Sequence, residues 1–289
     1  MAVYRWQQYT CAYEVHDGDS DATPLLLIHP IGVGLSGQFW QPFVDQWQGA
    51  RLYVPDLLGC GESDLPRRAY SPRDWAEQLH CFISEVIQKP VIVMVQGALL
   101  PVALELMADA TMSQWVTAAV LSGPPAWRLI TEPTPGWRQQ LNWSLFASPL
   151  GWGFYQYART QKFLKSFSER QLFDQAADIT DDWLAMLDQG SRDMASRYAV
   201  FSFLAGFWRQ DYGDEIAAIA QPILVIMGKT ASTIDRTVQD TTAQQRLNDY
   251  TSHFPHAQGM FIPGRNVLPY ESTAEFIAVL TPFVNGLTS

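Results

Sequence analysis

Few residues in this chain combine reactive chemistry with useful spacing. His29 follows the apolar run 25–28 and opens a glycine-bearing loop, His29-Pro30-Ile31-Gly32-Val33-Gly34. An imidazole there can serve as a base or simply brace the loop, and bracing is the expected role. Cys60 sits in a tight Gly-Cys-Gly turn with no cation nearby in sequence to stabilise a thiolate. Ser122 ends an apolar run where parallel sheets place their sites, but no base is visible for it, so it reads as a pocket liner. Asp235 is a further carboxylate in a loop. His253 and His256 are three apart with Pro255 between them, which spoils a shared helical face, so no metal site is expected.

These residues hang on alternating short elements. The aromatic and β-branched stretch 4–15 suits an antiparallel hairpin. Apolar runs at 25–28, 51–54, 91–95 and 116–121 read as strands buried on both faces, with helices at 38–47, 72–88 and 99–108 between them. Ser71 is placed to cap the second helix, with Pro72 in its first turn. The alternation stops at Gly123-Pro124-Pro125, and helical patterns follow at 137–146, 152–167, 180–190 and 191–208. It resumes with strands at 223–227 and 259–262 and helices at 241–254 and 273–285. The expected organisation is an α/β core of residues 1–126 and 215–289 interrupted by a helical cap, 127–214.

The chain of 289 residues carries a net charge of −10, which argues against nucleic-acid binding. It has no apolar run long enough to span a membrane and no signal-peptide pattern. Its three cysteines are widely spaced, so free thiols and a cytoplasmic setting are expected. No cofactor is expected. The stretch Gly32-Val33-Gly34-Leu35-Ser36-Gly37 fits a dinucleotide pattern, but it opens on a histidine and lacks the following acidic residue.

His29-Pro30-Ile31-Gly32 and Asp56-Leu57-Leu58-Gly59-Cys60-Gly61-Glu62-Ser63-Asp64, together with the strand order, resemble the α/β-hydrolase family in its capped subgroup. The resemblance implies a mostly parallel sheet flanked by helices, and a Ser-Asp-His triad. The turn Gln96-Gly97-Ala98-Leu99-Leu100 stands for the nucleophile turn, with Ala98 at the serine position and Gln96 and Leu100 at the flanking glycines. Gly228-Lys229-Thr230-Ala231 puts Ala231 at the acid position, and counting back from Glu271 puts Asn266 at the histidine position. No confident catalytic residue remains. The resemblance also makes the backbone N–H groups of Ile31 and Leu99 an oxyanion notch that needs no particular side chain.

His29, Gln96, Ser122, Trp152 and Phe154 are the expected pocket residues. The helical insertion is rich in aromatics, which serve as core packing, as walls of an apolar cavity, or as an exposed docking surface. The functional expectation is a triad-lacking scaffold that binds an apolar small molecule or a protein partner. The alternative is a hydrolase, lyase or isomerase using other pocket residues.

Overall fold

The computed structural model describes residues 1–234 and 241–287. Continuous apolar runs become the middle strands of one eight-stranded sheet, in the order β1-β2-β4-β3-β5-β6-β7-β8. These are β1 Ala2–Trp6, β2 Tyr9–His16, β3 Leu25–Ile28, β4 Leu52–Pro55, β5 Val91–Gln96, β6 Val116–Ser122, β7 Ile223–Gly228 and β8 Ala257–Ile262. β1 and β2 form the antiparallel hairpin, and β2 runs antiparallel to β4; the remaining pairs are parallel. Side chains alternate between two cores. Leu26, Ile28, Val93 and Val95 face one, and Leu25, Leu27, Ile92 and Met94 face the other. Each such residue contributes about 1.5–3 kcal/mol of burial free energy.

The helices outside the β6–β7 interval are α1 Gln41–Gln46, α2 Pro72–Phe82, α3 Leu100–Ala108, α11 Ala243–His253, α12 Leu268–Glu271 and α13 Thr273–Gly286. Ser71 caps α2 as expected, in a reciprocal capping box with Asp74. Below Phe82 the helix continues as a π-turn, Ile83–Ile87.

Between β6 and β7 the described chain is helical, comprising α4 Arg128–Thr131, α5 Gly136–Phe146, α6 Pro149–Ala158, α7 Gln161–Phe167, α8 Asp181–Gly190, α9 Arg197–Ala205 and α10 Gly213–Ala218. The single helix expected over 152–167 is two. Thr160 accepts a hydrogen bond from the Phe163 N–H and so starts a new helix. The helix expected from 191 begins at Arg197, after a short turn at Met194–Ser196, and ends at Ala205, where Gly206 takes a left-handed conformation.

Two glycines seat this segment on the sheet. A Cβ on Gly34 would stand 2.0 Å from the Leu187 carbonyl oxygen, and one on Gly190 would stand 2.3 Å from the Gly34 carbonyl oxygen. The loop after β3 and the end of α8 thus touch backbone to backbone. Of the three glycines that fit a dinucleotide pattern, Gly34 is used for this close approach.

Candidate functional site at the carboxyl edge of the sheet

Strand register gathers the expected site residues. Ile28 pairs with Val95, so the loop that begins at His29 and contains Ile31 starts beside the turn after β5. Gln96 pairs with Ser122. On the far side, the Thr230 N–H and hydroxyl both donate to the Gly264 carbonyl, at 3.2 and 3.0 Å. This joins the loop holding Ala231 to the loop holding Asn266. The Gln96 amide then reaches across to donate to the Asn266 carbonyl at 2.7 Å. The turn holding Ala98 and the loops holding Ala231 and Asn266 therefore meet at one edge, where ligands bind in open α/β sheets.

The turn's left-handed residue stands one position before Ala98. The left-handed residue is Gly97, at φ +64, and Ala98 is not left-handed. Gln96 belongs to β5, so the turn begins one position later than the apolar run suggested. Glycine takes this backbone conformation without the steric cost other residues incur. A Cβ built on Gly97 meets no atom within 4 Å, so the residue at the head of the turn faces open space. The N–H that follows it belongs to Ala98, which is half-buried, whereas Leu99 is buried.

The side chains around this point have other uses. Asn266 donates its amide to the Gln171 carbonyl at 2.7 Å and the Ser232 carbonyl at 3.0 Å. Its backbone N–H donates to Leu172. It therefore ties the helical segment to the loop after β7. His29 is fully buried. The Leu57 N–H donates to its Nε2 at 3.2 Å, and its Nδ1–H donates to the Pro30 carbonyl at 2.8 Å. Both ring nitrogens are occupied in the neutral form, and burial holds the imidazole pKa below its usual value despite nearby Asp56. His29 braces its loop, as expected.

Asp56 and its following residues form a second brace. Its carboxylate accepts from the Gly37 N–H at 2.7 Å and the Glu62 N–H at 2.9 Å. Ser63 donates to the Asp56 carbonyl, while Asp64 accepts from Thr10. Burial, with Asp56 close by, pushes the Cys60 thiol far above the usual range, which disfavours the thiolate. All three cysteines are free.

Two buried polar atoms at the edge have no partner, Gln96 Oε1 and Ser122 Oγ. Sequence reasoning missed Arg246, on α11. It is buried and donates to the Pro124 and Ser232 carbonyls, which stiffens the loop holding Ala231. Burial lowers its pKa. Its position in an ordinary amphipathic helix offered no signal.

Trp152 and Phe154 are corrected outright. They stand on the outer surface, 50% and 42% exposed, so they do not wall a closed pocket. Asp235 lies outside the described residues. An open cleft of about 540 Å³ is lined instead by polar residues including Asp56, Glu62, Asp64, Arg192 and Asp193. Among the described residues no cluster of His, Cys, Asp and Glu could hold a metal ion, and no helix is long and apolar enough to cross a membrane.

A sequence model of the alpha/beta hydrolase family matches residues 25–279. No curated protein matches in sequence. Among solved structures, the chain is similar to a thermophilic esterase from Thermogutta terrifontis, with TM-score 0.74, 15% identity, and 97% and 95% of the two chains covered. It is similar to the enol-lactonase from Burkholderia xenovorans LB400, with TM-score 0.74, 14% identity, and 98% and 100% covered. It is also similar to Cfl2 from Burkholderia cenocepacia, with TM-score 0.76, 17% identity, and 98% and 94% covered. At such identities the likeness speaks for the fold alone.

Proposed function

The chain belongs to the α/β-hydrolase family, and from that premise we propose that it is a scaffold without hydrolytic chemistry that works by binding. The observation that carries this reading is Gly97, which has the left-handed backbone of a nucleophile turn and no side chain to attack with. Ala231 stands at the acid position, and Asn266, whose amide is already engaged, stands at the base position. Loss of a triad leaves about 10³–10⁴-fold acceleration over water, from oxyanion contacts and binding alone.

In this reading residues 1–126 and 215–289 form the core and 127–214 the cap. The ligand site is the space before Gly97, with the Ile31 and Ala98 N–H groups as a notch for a carbonyl or anionic oxygen. The unpartnered Gln96 Oε1 and Ser122 Oγ favour a small molecule that brings a hydrogen-bond donor on a largely apolar body. A relocated enzyme mechanism has less support, because His29 and Cys60 are both committed to packing.

The test is p-nitrophenyl ester hydrolysis alongside native mass spectrometry of freshly purified protein. The expected result is turnover no faster than buffer and a small molecule retained by the protein. Ester turnover that a Ser122→Ala change removes would sink the proposal.

A further inference from the structure

Helix α6 carries a single polar side chain, Gln156. Gly151, Tyr155 and Ala158 form its buried face, while Leu150, Trp152, Phe154 and Tyr157 point outward. A soluble helix with so little polar surface is normally covered on both sides. Helix α5 adds a second stripe. Trp137, Leu141 and Leu145 recur every four residues along one side, and each is more than half exposed. The two helices are joined by Ala147-Ser148 and pack on one another. The aromatic surface continues through Tyr157 and Phe163, whose rings lie 5.2 Å apart, onto α7.

This patch is not ordinary surface scatter. Every exposed large aromatic residue among the described residues lies in it. Its charge is just as distinctive. Residues 133–168 contain Arg138, Arg159, Lys162 and Lys165 and not one Asp or Glu, in a chain of net charge −10. None of these four cations makes an ion pair among the described residues; Arg159 contacts only the Met194 sulfur. In an acidic protein, the stretch from α5 to α7 is thus free of acids, cationic and rich in aromatics.

We infer that the α5–α6 hairpin and the start of α7 dock the protein on an anionic lipid bilayer, lying in the interface without crossing it. Trp and Tyr favour the headgroup level, Leu150 and the α5 leucines enter the acyl boundary, and the four cations meet the negative lipid surface. Charge selects this occupant. A soluble apolar partner has no use for a cationic rim, and a second copy would bring the same four positive charges against it.

Flotation of the full chain with vesicles tests this. Vesicles of phosphatidylcholine with about one third phosphatidylglycerol should bind the protein at least roughly tenfold more tightly than pure phosphatidylcholine, and high salt should weaken the binding. Leu150→Glu with Trp152→Glu should abolish flotation. Lys162→Glu with Lys165→Glu should weaken it by more than about tenfold while thermal unfolding stays unchanged. Trp137→Ser on α5 gives the same reading if the α6 variant does not fold. Absence of flotation by folded wild-type protein would overturn the inference, as would equal binding to neutral and anionic vesicles. A dimer in solution that Leu150→Glu dissolves would also overturn it and assign the face to a second copy.

Discussion

The side-chain amide of Gln96 donates to the backbone carbonyl of Asn266 across 2.7 Å, joining the turn after β5 to the loop after β8. The Gln96 amide and the Asn266 carbonyl are thereby spent on holding the edge of the sheet together. Gln96→Ala should cost about 0.5–1.5 kcal/mol in urea unfolding. Asn266→Ala should cost more, roughly 1–3 kcal/mol, because the part-buried carbonyls of Gln171 and Ser232 both lose a donor. If Asn266→Ala proved neutral, the stitching role would be wrong.

Gly97 and Ala98 should respond differently to the same kind of change. Gly97→Ala forces a side chain into left-handed backbone and should lower stability by about 1–2 kcal/mol, although nothing blocks its Cβ. Ala98→Ser should be mild by the same thermal-melt measurement, because Ala98 is not left-handed. Gly97→Ser should create no esterase, since no base stands at Asn266. Equal costs at both positions would move the head of the turn away from Gly97.

His29 makes stability depend on acid. Its folded pKa lies below the usual 6.5, so below that value the unfolded chain takes up a proton that the folded chain refuses. Stability is therefore full above about pH 6.5 and falls as pH drops, with a slope of up to about 1.4 kcal/mol per pH unit. Chemical denaturation of wild type and His29→Gln at several pH values isolates this share, and the variant should lose it. An unchanged acid slope would show that the ring is not held neutral.

Thiol reactivity should follow burial. Burial pushes Cys11 up to about 12 and Cys81, half-buried, up to about 11. At pH 8 an aromatic disulfide reagent should label Cys81 slowly and leave Cys11 and Cys60 untouched until the protein unfolds. Rapid labelling of Cys60 in folded protein would reopen its case as a reactive group.

The sheet was legible because its strands are apolar on both faces and β-rich, with few other ways to fold. Ser71 announced α2 because serine followed by proline and an acid three positions on is a local capping signal. The turn at Gly97 was displaced by one residue because Gln96 is polar and looked like loop, whereas its pairing with Ser122 extends β5. The usable signal was that Gly97 is the one residue there suited to positive φ. Trp152 and Phe154 were misplaced for a different reason. Composition records that aromatics are present, but only tertiary packing determines which side of a nearly all-apolar helix is left facing water.

The backbone contact of Gly34 with Leu187 and Gly190 has a consequence for how the helical segment can move. A contact made without side chains has no rotamers to trade, so it cannot loosen by degrees. Lifting the α8 end off the sheet breaks the whole contact in one step. Within the segment, α5, α6 and α9 pack through aromatic side chains such as Phe146 and Phe154 against Phe201, which can shift a ring at a time. The segment is thus latched to the loop after β3 all or none, while its own helices can adjust to one another by degrees.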